Sequence, residues 1–363
     1  MTVFNSAVVD WIDRKELVER ASQRGRLWPV DESETYELVE PLPGGSPPKA
    51  IQRTDRTVSL DRPFVCDLPN ATLFGPDAVV RTQENDIVLE ATAHGDETAR
   101  DGNCKRNLFR NLVSGYRQRS GDVDDRIVCP LVDSWARTYF HWIVDALPKL
   151  QAVERYVAET GDVPQLVVPQ RLPSWMERSL ELAGYDRDDC IRWDGSTRSF
   201  ERVVVPSLRR EVDAVSINAL RWLRRRMLAN ADSVERDWAS RVYISRSEAN
   251  SREVLNESAL VDGLSSLGFE SYVLENLSVD EQISLFSQAD AVFGLHGSGF
   301  TNILFAEDAT VVELFGSRVR STVYYHMASG LGLGYGAIAA PSVDENVAVD
   351  VDRVTTQLQK MLD

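Results

Sequence analysis

From Arg126 to its last residue the chain alternates short apolar runs with amphipathic stretches, and that alternation leaves few folds open. RIVCPLVD, QLVVP and RVVVPS read as strands, while TYFHWIVDALPKLQAVERYV and PSWMERSLELAG carry apolar residues at helical spacing. The first of these helices should break near Pro148, and a proline opens the second. Strand–helix repetition of this kind predicts parallel strands covered by helices. After VDAVSINALRWLRRRMLAN the pattern restarts, with VYISRS, FESYVLE, AVFGLHG, TVVELF and YGAIAA as strands. Helices between them include EVLNESALVDGLSSLG, ending at Gly268, SVDEQISLFSQA, capped by Ser278, and TNILFA. Two doubly wound units meeting near Ser233 to Ser240 are the economical architecture, and 363 residues suit two domains.

Ahead of this region lie an irregular lead-in over residues 1–62, with one helix near Val8 to Arg24, and a small β meander from Pro63 to Thr92. The expected domains are therefore 1–62, 63–235 with the meander, and 236–363.

Forty-three per cent apolar residues without a long uncharged apolar run argue for a soluble protein, and the acidic N-terminus is unlike a secretory signal. Cytoplasmic residence is the expectation. Cys66, Cys104, Cys129 and Cys190 are too scattered for a zinc site or a disulfide framework. A formal charge of −16 disfavours nucleic acid and anionic membrane, since phosphate binding needs a broad basic surface. Scarce lysine and abundant aspartate resemble the proteins of salt-accumulating halophiles.

In parallel sheets ligands bind where strands end and helix N-termini begin. GLHGSGFTN occupies such a place: Gly294, Gly297 and Gly299 permit close backbone approach, and Ser298 and Thr301 can cap a helix or donate to phosphate oxygens. His296 stands among them without a packing reason. At another strand end Ser245, Arg246 and Arg252 are placed to clamp a diphosphate, the competing expectation being ion pairs with Glu248, Glu253 or Glu257. Glu313 interrupts the apolar run TVVELF, where a ribose diol would be a natural partner for a buried carboxylate. His141 and Asp145 lie one helical turn apart, as a general base and its orienter would, or as a purely structural hydrogen bond would. DxD triplets at Asp122–Asp124, Asp186–Asp188 and Asp350–Asp352 are expected by chance in so acidic a chain, and no metal is assigned.

Taken together, HWIVDALP, YISRS with REVLNE, and HGSGFTN followed by VVEL resemble the ordered motifs of glycosyltransferase family 61 over roughly Val65 to Tyr335. The resemblance implies a GT-B-like α/β fold, two Rossmann-like domains facing a cleft, and inverting transfer from a nucleotide-sugar donor to a glycan, glycolipid or glycoprotein hydroxyl. By similarity, Arg246 and the loop Gly297 to Asn302 fall to the diphosphate and Glu313 to the ribose. Asp145 is then the candidate base, with His141 as its orienter or substitute, and His296 steadies the leaving group. No cofactor is implied. Microbial members are associated with capsular polysaccharide biosynthesis, which suits the inner face of the cell membrane and peripheral association with it. A nucleotide-sugar binding protein without turnover and a sugar-nucleotide epimerase are the competing expectations.

Overall fold

The computed structural model describes residues 3–4, 7–8, 10–93, 95, 110–111, 122–249 and 251–363; Cys104 lies outside them. The chain forms two compact units, Met1–Glu34 with Leu60–Val212, and Thr35–Ser59 with Asp213–Asp363. Both divisions differ from those expected. The helix Ile217–Asn230 goes to the second unit, where Ile217 packs so tightly against another helix that a Cβ at Gly330 would lie 2.2 Å from its Cγ1.

In the first unit nine strands make one sheet. Ile191–Trp193, Gln165–Pro169, Asp124–Pro130 and Thr197–Pro206 are parallel neighbours, as the strand–helix alternation requires. The expected all-parallel sheet ends there. Thr197–Pro206 pairs antiparallel with Phe64–Phe74, from Thr197 opposite Phe74 to Pro206 opposite Val65. The meander continues through Val79–Arg81 and Ile87–Val88. The sheet is thus mixed: the meander is fused to the parallel half because its first strand, coming from earlier in the chain, needs no helical crossover to reach that edge. The lead-in helix is shorter than expected, Arg14–Gln23, and Asp13 caps it by accepting from the Glu16 amide.

The second unit holds a five-stranded, wholly parallel sheet in the order Phe269–Tyr272, Arg241–Ile244, Ala291–Leu295, Thr310–Gly316, Gly334–Ala340. The order reverses between Arg241–Ile244 and Ala291–Leu295, which makes the carboxyl ends of those two strands a topological switch point. Tyr243, Phe293, Val312, Leu314 and Ile338 join one apolar cluster with Leu260, Leu264, Val354 and Leu358 of the helices Glu257–Ser265 and Val351–Leu362. Strand alternation therefore turns Glu313 to the opposite face. Ser278 opens its helix with a full capping box, exchanging hydrogen bonds with Glu281.

Residues 35–59 belong here rather than to an irregular lead-in. The Leu42 amide donates to the Tyr335 carbonyl at 2.8 Å and the Ser46 amide to that of Ala337 at 2.9 Å, so this segment lies along the outer edge of Gly334–Ala340. An edge strand so covered offers no free ladder to another chain.

Candidate functional site

The switch point of the second unit is built around Arg246. Glu257 takes both the Tyr243 hydroxyl, at 2.9 Å, and the Arg246 backbone amide, at 3.0 Å, fixing the backbone where the strand ends. Nε and Nη2 of Arg246 donate to the carbonyls of Arg252 and Ser251, each at 2.6 Å, curling the loop around the guanidinium. Arg252 itself adopts a left-handed φ of 57°. Nη1 lies against Gly297, where a Cβ would come within 2.2 Å. Any side chain there would displace the guanidinium, which gives this glycine its reason. Burial, then the like charge of Arg252, lower the Arg246 pKa from its ordinary value. Among the described residues no ion pair joins Arg246 or Arg252 to Glu248, Glu253 or Glu257. Arg252 precedes the helix Glu257–Ser265 by five residues instead of opening it.

The glycine loop contributes less than its sequence suggested. It enters a 3-10 helix, Ser298–Phe305, in place of an α-helix. Ser298 and Gly299 keep some exposure, but Thr301 and Asn302 are fully buried, and Asn302 donates its amide to Gln282 at 2.8 Å. Asn302 also donates to the Gly299 carbonyl at 3.3 Å and so supports the loop, while Thr301 is enclosed beneath it. Gly299 makes room for Ile244 and Leu274, whose methyl groups would stand 2.9 and 3.0 Å from a Cβ. Ser245 bonds within its own loop, to Ser247 at 3.1 Å.

Glu313 requires the plainest correction. It is 0% exposed, and its two carboxylate oxygens meet the His296 ring nitrogen Nδ1 and, at 2.8 Å, the Tyr335 hydroxyl. A carboxylate enclosed this way cannot reach a ribose; it orients His296. Burial, then the Glu313 charge, push the Tyr335 phenol well up, so it stays a donor. The His296 ring lies between Phe315 and Tyr324, with centroids at 5.6 and 5.3 Å.

In the first unit His141 and Asp145 sit where Pro148 disturbs the helix. Proline has no N–H and its ring crowds the preceding turn, and here the turn widens to a π-helix over Trp142–Ala146, the Leu147 amide reaching back to Trp142 at 2.9 Å. The regular helix resumes at Lys149. Trp142 is fully buried and donates to the Ser179 hydroxyl at 2.8 Å, anchoring this turn in the core and leaving it no part in the site. His141 Nδ1 and Asp145 are 2.6 Å apart, and Arg210 donates to the same carboxylate from Nε at 2.9 Å and from Nη2 at 3.3 Å. Burial opposes ionisation of Asp145, yet the Arg210 charge and the His141 hydrogen bond outweigh it and hold the pKa at about 2. So held, Asp145 is a poor proton acceptor, and the first-choice base becomes an orienter of His141. The His141 side chain retains 20% exposure.

Arg210 and Tyr335 escaped the sequence reading, because each joins its carboxylate from 65 and 22 residues away respectively. The DxD aspartates have local duties: Asp186 and Asp350 cap helices, and Asp124 pairs with Arg126. Among the described residues no group of three or more His, Cys, Asp or Glu side chains is arranged to hold a metal ion, and no helix is long and apolar enough to cross a membrane.

Residues 139–312 match the family model described as Glycosyltransferase 61, a little under half of the chain. No curated protein matches the sequence. Over the matched segment the resemblance to glycosyltransferase family 61 is shown, and it spans His141, Asp145, Arg210, Arg246 and His296 while stopping one residue short of Glu313.

Proposed function

From the glycosyltransferase 61 match over residues 139–312, we propose that this transferase inverts the anomeric centre, moving a sugar from a nucleotide-sugar donor to a hydroxyl of a glycan, glycolipid or glycoprotein. In this reading the arrangement is GT-B-like, the second unit takes the donor and the first the acceptor. The chemistry belongs to surface polysaccharide assembly at the inner face of the membrane, without a resident cofactor. The observation that carries it is Arg246 seated against Gly297 at the switch point, a guanidinium in no ion pair among the described residues, in the place where parallel sheets receive diphosphates.

The acceptor oxygen attacks the anomeric carbon as the bond to the diphosphate breaks. The His141 imidazole, oriented by Asp145, takes the hydroxyl proton, and Arg246 with His296 meets the departing negative charge. Ser245, Ser298, Gly299 and Arg252 complete the rim of the donor site.

Thermal shift against a panel of nucleotide sugars, at low and high KCl, tests the donor half. Arg246→Gln should weaken nucleoside diphosphate binding by about tenfold or more, the loss expected for a charged hydrogen bond. If no nucleotide sugar stabilises the protein at any salt, or if the variant binds as well, the reading is wrong. With labelled donor, binding without transfer identifies a non-catalytic binding protein, and an altered sugar still on its nucleotide identifies an epimerase.

A further inference from the structure

Arg209 follows the carboxyl end of strand Thr197–Pro206 by three residues and immediately precedes Arg210. Four other arginines of this unit each meet a carboxylate: Arg14 with Glu90, Arg26 with Asp67, Arg202 with Asp162 and Arg210 with Asp145. Arg209 is 5% exposed, and among the described residues no carboxylate reaches ion-pair distance of it. Nη2 donates to the Gln151 side chain at 2.8 Å, a neutral acceptor, while Nε and Nη1 are buried without a partner among the described residues. Burial lowers its pKa to about 10; the charges of Asp31 and Glu34 act on it only from beyond bonding distance.

A buried guanidinium with two unsatisfied donors costs stability that an apolar side chain of similar volume would not. Its place at the carboxyl edge of the parallel half, next to the arginine that holds Asp145, is where an α/β sheet receives ligands. Nη2 is committed to Gln151, so the open donors are Nε, on the edge it shares with Nη2, and Nη1, on the Cδ side, each able to meet an anion oxygen singly.

We propose that Arg209 is the receptor for a small anionic group on the acceptor, the carboxylate of an acidic sugar or a phosphate. The proposal rests on the acceptor-side reading of this unit. Because Nε and Nη1 are closed to bulk water, the anion enters by local opening and takes charged hydrogen bonds from Arg209, whose Nη2 stays anchored on the Gln151 side-chain oxygen.

The test is thermal shift of the full chain with sodium glucuronate, with inorganic phosphate and with glucose, at ionic strength fixed by KCl. Glucuronate, phosphate or both should raise Tm by about 2 °C or more at saturating concentration, and glucose should not. Which anion acts identifies the source of the charge. Arg209→Met should abolish the shift while its own Tm without anion stays equal to or above that of the parent, as expected when an unpaired buried charge is removed. Arg209→Gln carries the same comparison should the methionine variant fail to fold. Arg246→Gln should leave the shift intact, which separates this anion from one bound at the diphosphate site. No shift with either anion, or a shift that persists without Arg209, overturns the proposal. Nucleotide binding measured on the same samples reports on the donor reading independently.

Discussion

Among the described residues two histidines pair with a carboxylate, His141 with Asp145 in the first unit and His296 with Glu313 in the second, and the third partners of these pairs differ. Asp145 also receives Arg210, so its charge is already balanced by a permanent cation. Glu313 receives Tyr335, a neutral phenol, so no permanent cation is hydrogen-bonded to this fully buried carboxylate among the described residues. The contrast teaches that a histidine and an acid side by side do not define a chemistry. Where an arginine shares the acid, the carboxylate is held ionised whatever the imidazole does. Where a phenol takes the arginine's place, the ring is held in a fixed orientation by a carboxylate that is itself fully buried.

The comparison breaks first at His141. With His141 as the proposed base, His141→Gln should lower the transfer rate by about 10²–10⁴ while donor affinity stays within a factor of two or so, because a base that only takes the acceptor proton does not hold the nucleotide. A variant that keeps its turnover excludes His141 as the base. Next in size is Glu313→Gln: loss of the buried charge opposite His296 should cost about 3–5 kcal/mol in denaturant unfolding, the usual effect of breaking a buried pair. A cost under about 1 kcal/mol would mean that the second pair is not an ion pair.

Asp145 sharpens the contrast through pH. Its folded pKa, about 2, lies below the ordinary 3.8, so the stabilisation it gives is complete above about pH 4 and disappears as pH falls towards 2. Asp145→Asn should remove roughly 2 kcal/mol of acid-dependent stability in that window, and acid titrations that superimpose for parent and variant would contradict the role given to Arg210. Smallest is Tyr335→Phe, which removes one hydrogen bond to Glu313 and should cost about 1–2 kcal/mol. If Tyr335→Phe abolishes transfer at unchanged stability, the phenol does more than hold the carboxylate.

What was legible in the sequence follows from locality. His141 and Asp145 are four residues apart, and Arg246 and His296 each leave a recognisable strand, so spacing alone brought them forward. Arg210 and Tyr335 reach the same carboxylates through register and packing that no short window contains. Glu313 stands out in TVVELF as an acid in an apolar run, but alternation tells which face it takes and not that His296 and Tyr335 lie on it. The parallel sheet of the second unit was legible from strand and helix periods. Fusion of the meander to Thr197–Pro206 was not, since antiparallel pairing between distant segments leaves no local mark.

The segment that lines the edge of Gly334–Ala340 has a consequence for synthesis and dissection. Ser46 leaves the ribosome about 290 residues before its neighbour Ile338, a wait of roughly 15–60 s at ordinary elongation rates. A nascent chain must hold residues 35–59 uncommitted for that time, and the peptide backbone passes from one unit to the other three times. A recombinant fragment beginning at Asp213 would therefore expose a bare β edge and tend to aggregate, whereas co-expression with residues 35–59 should restore its solubility.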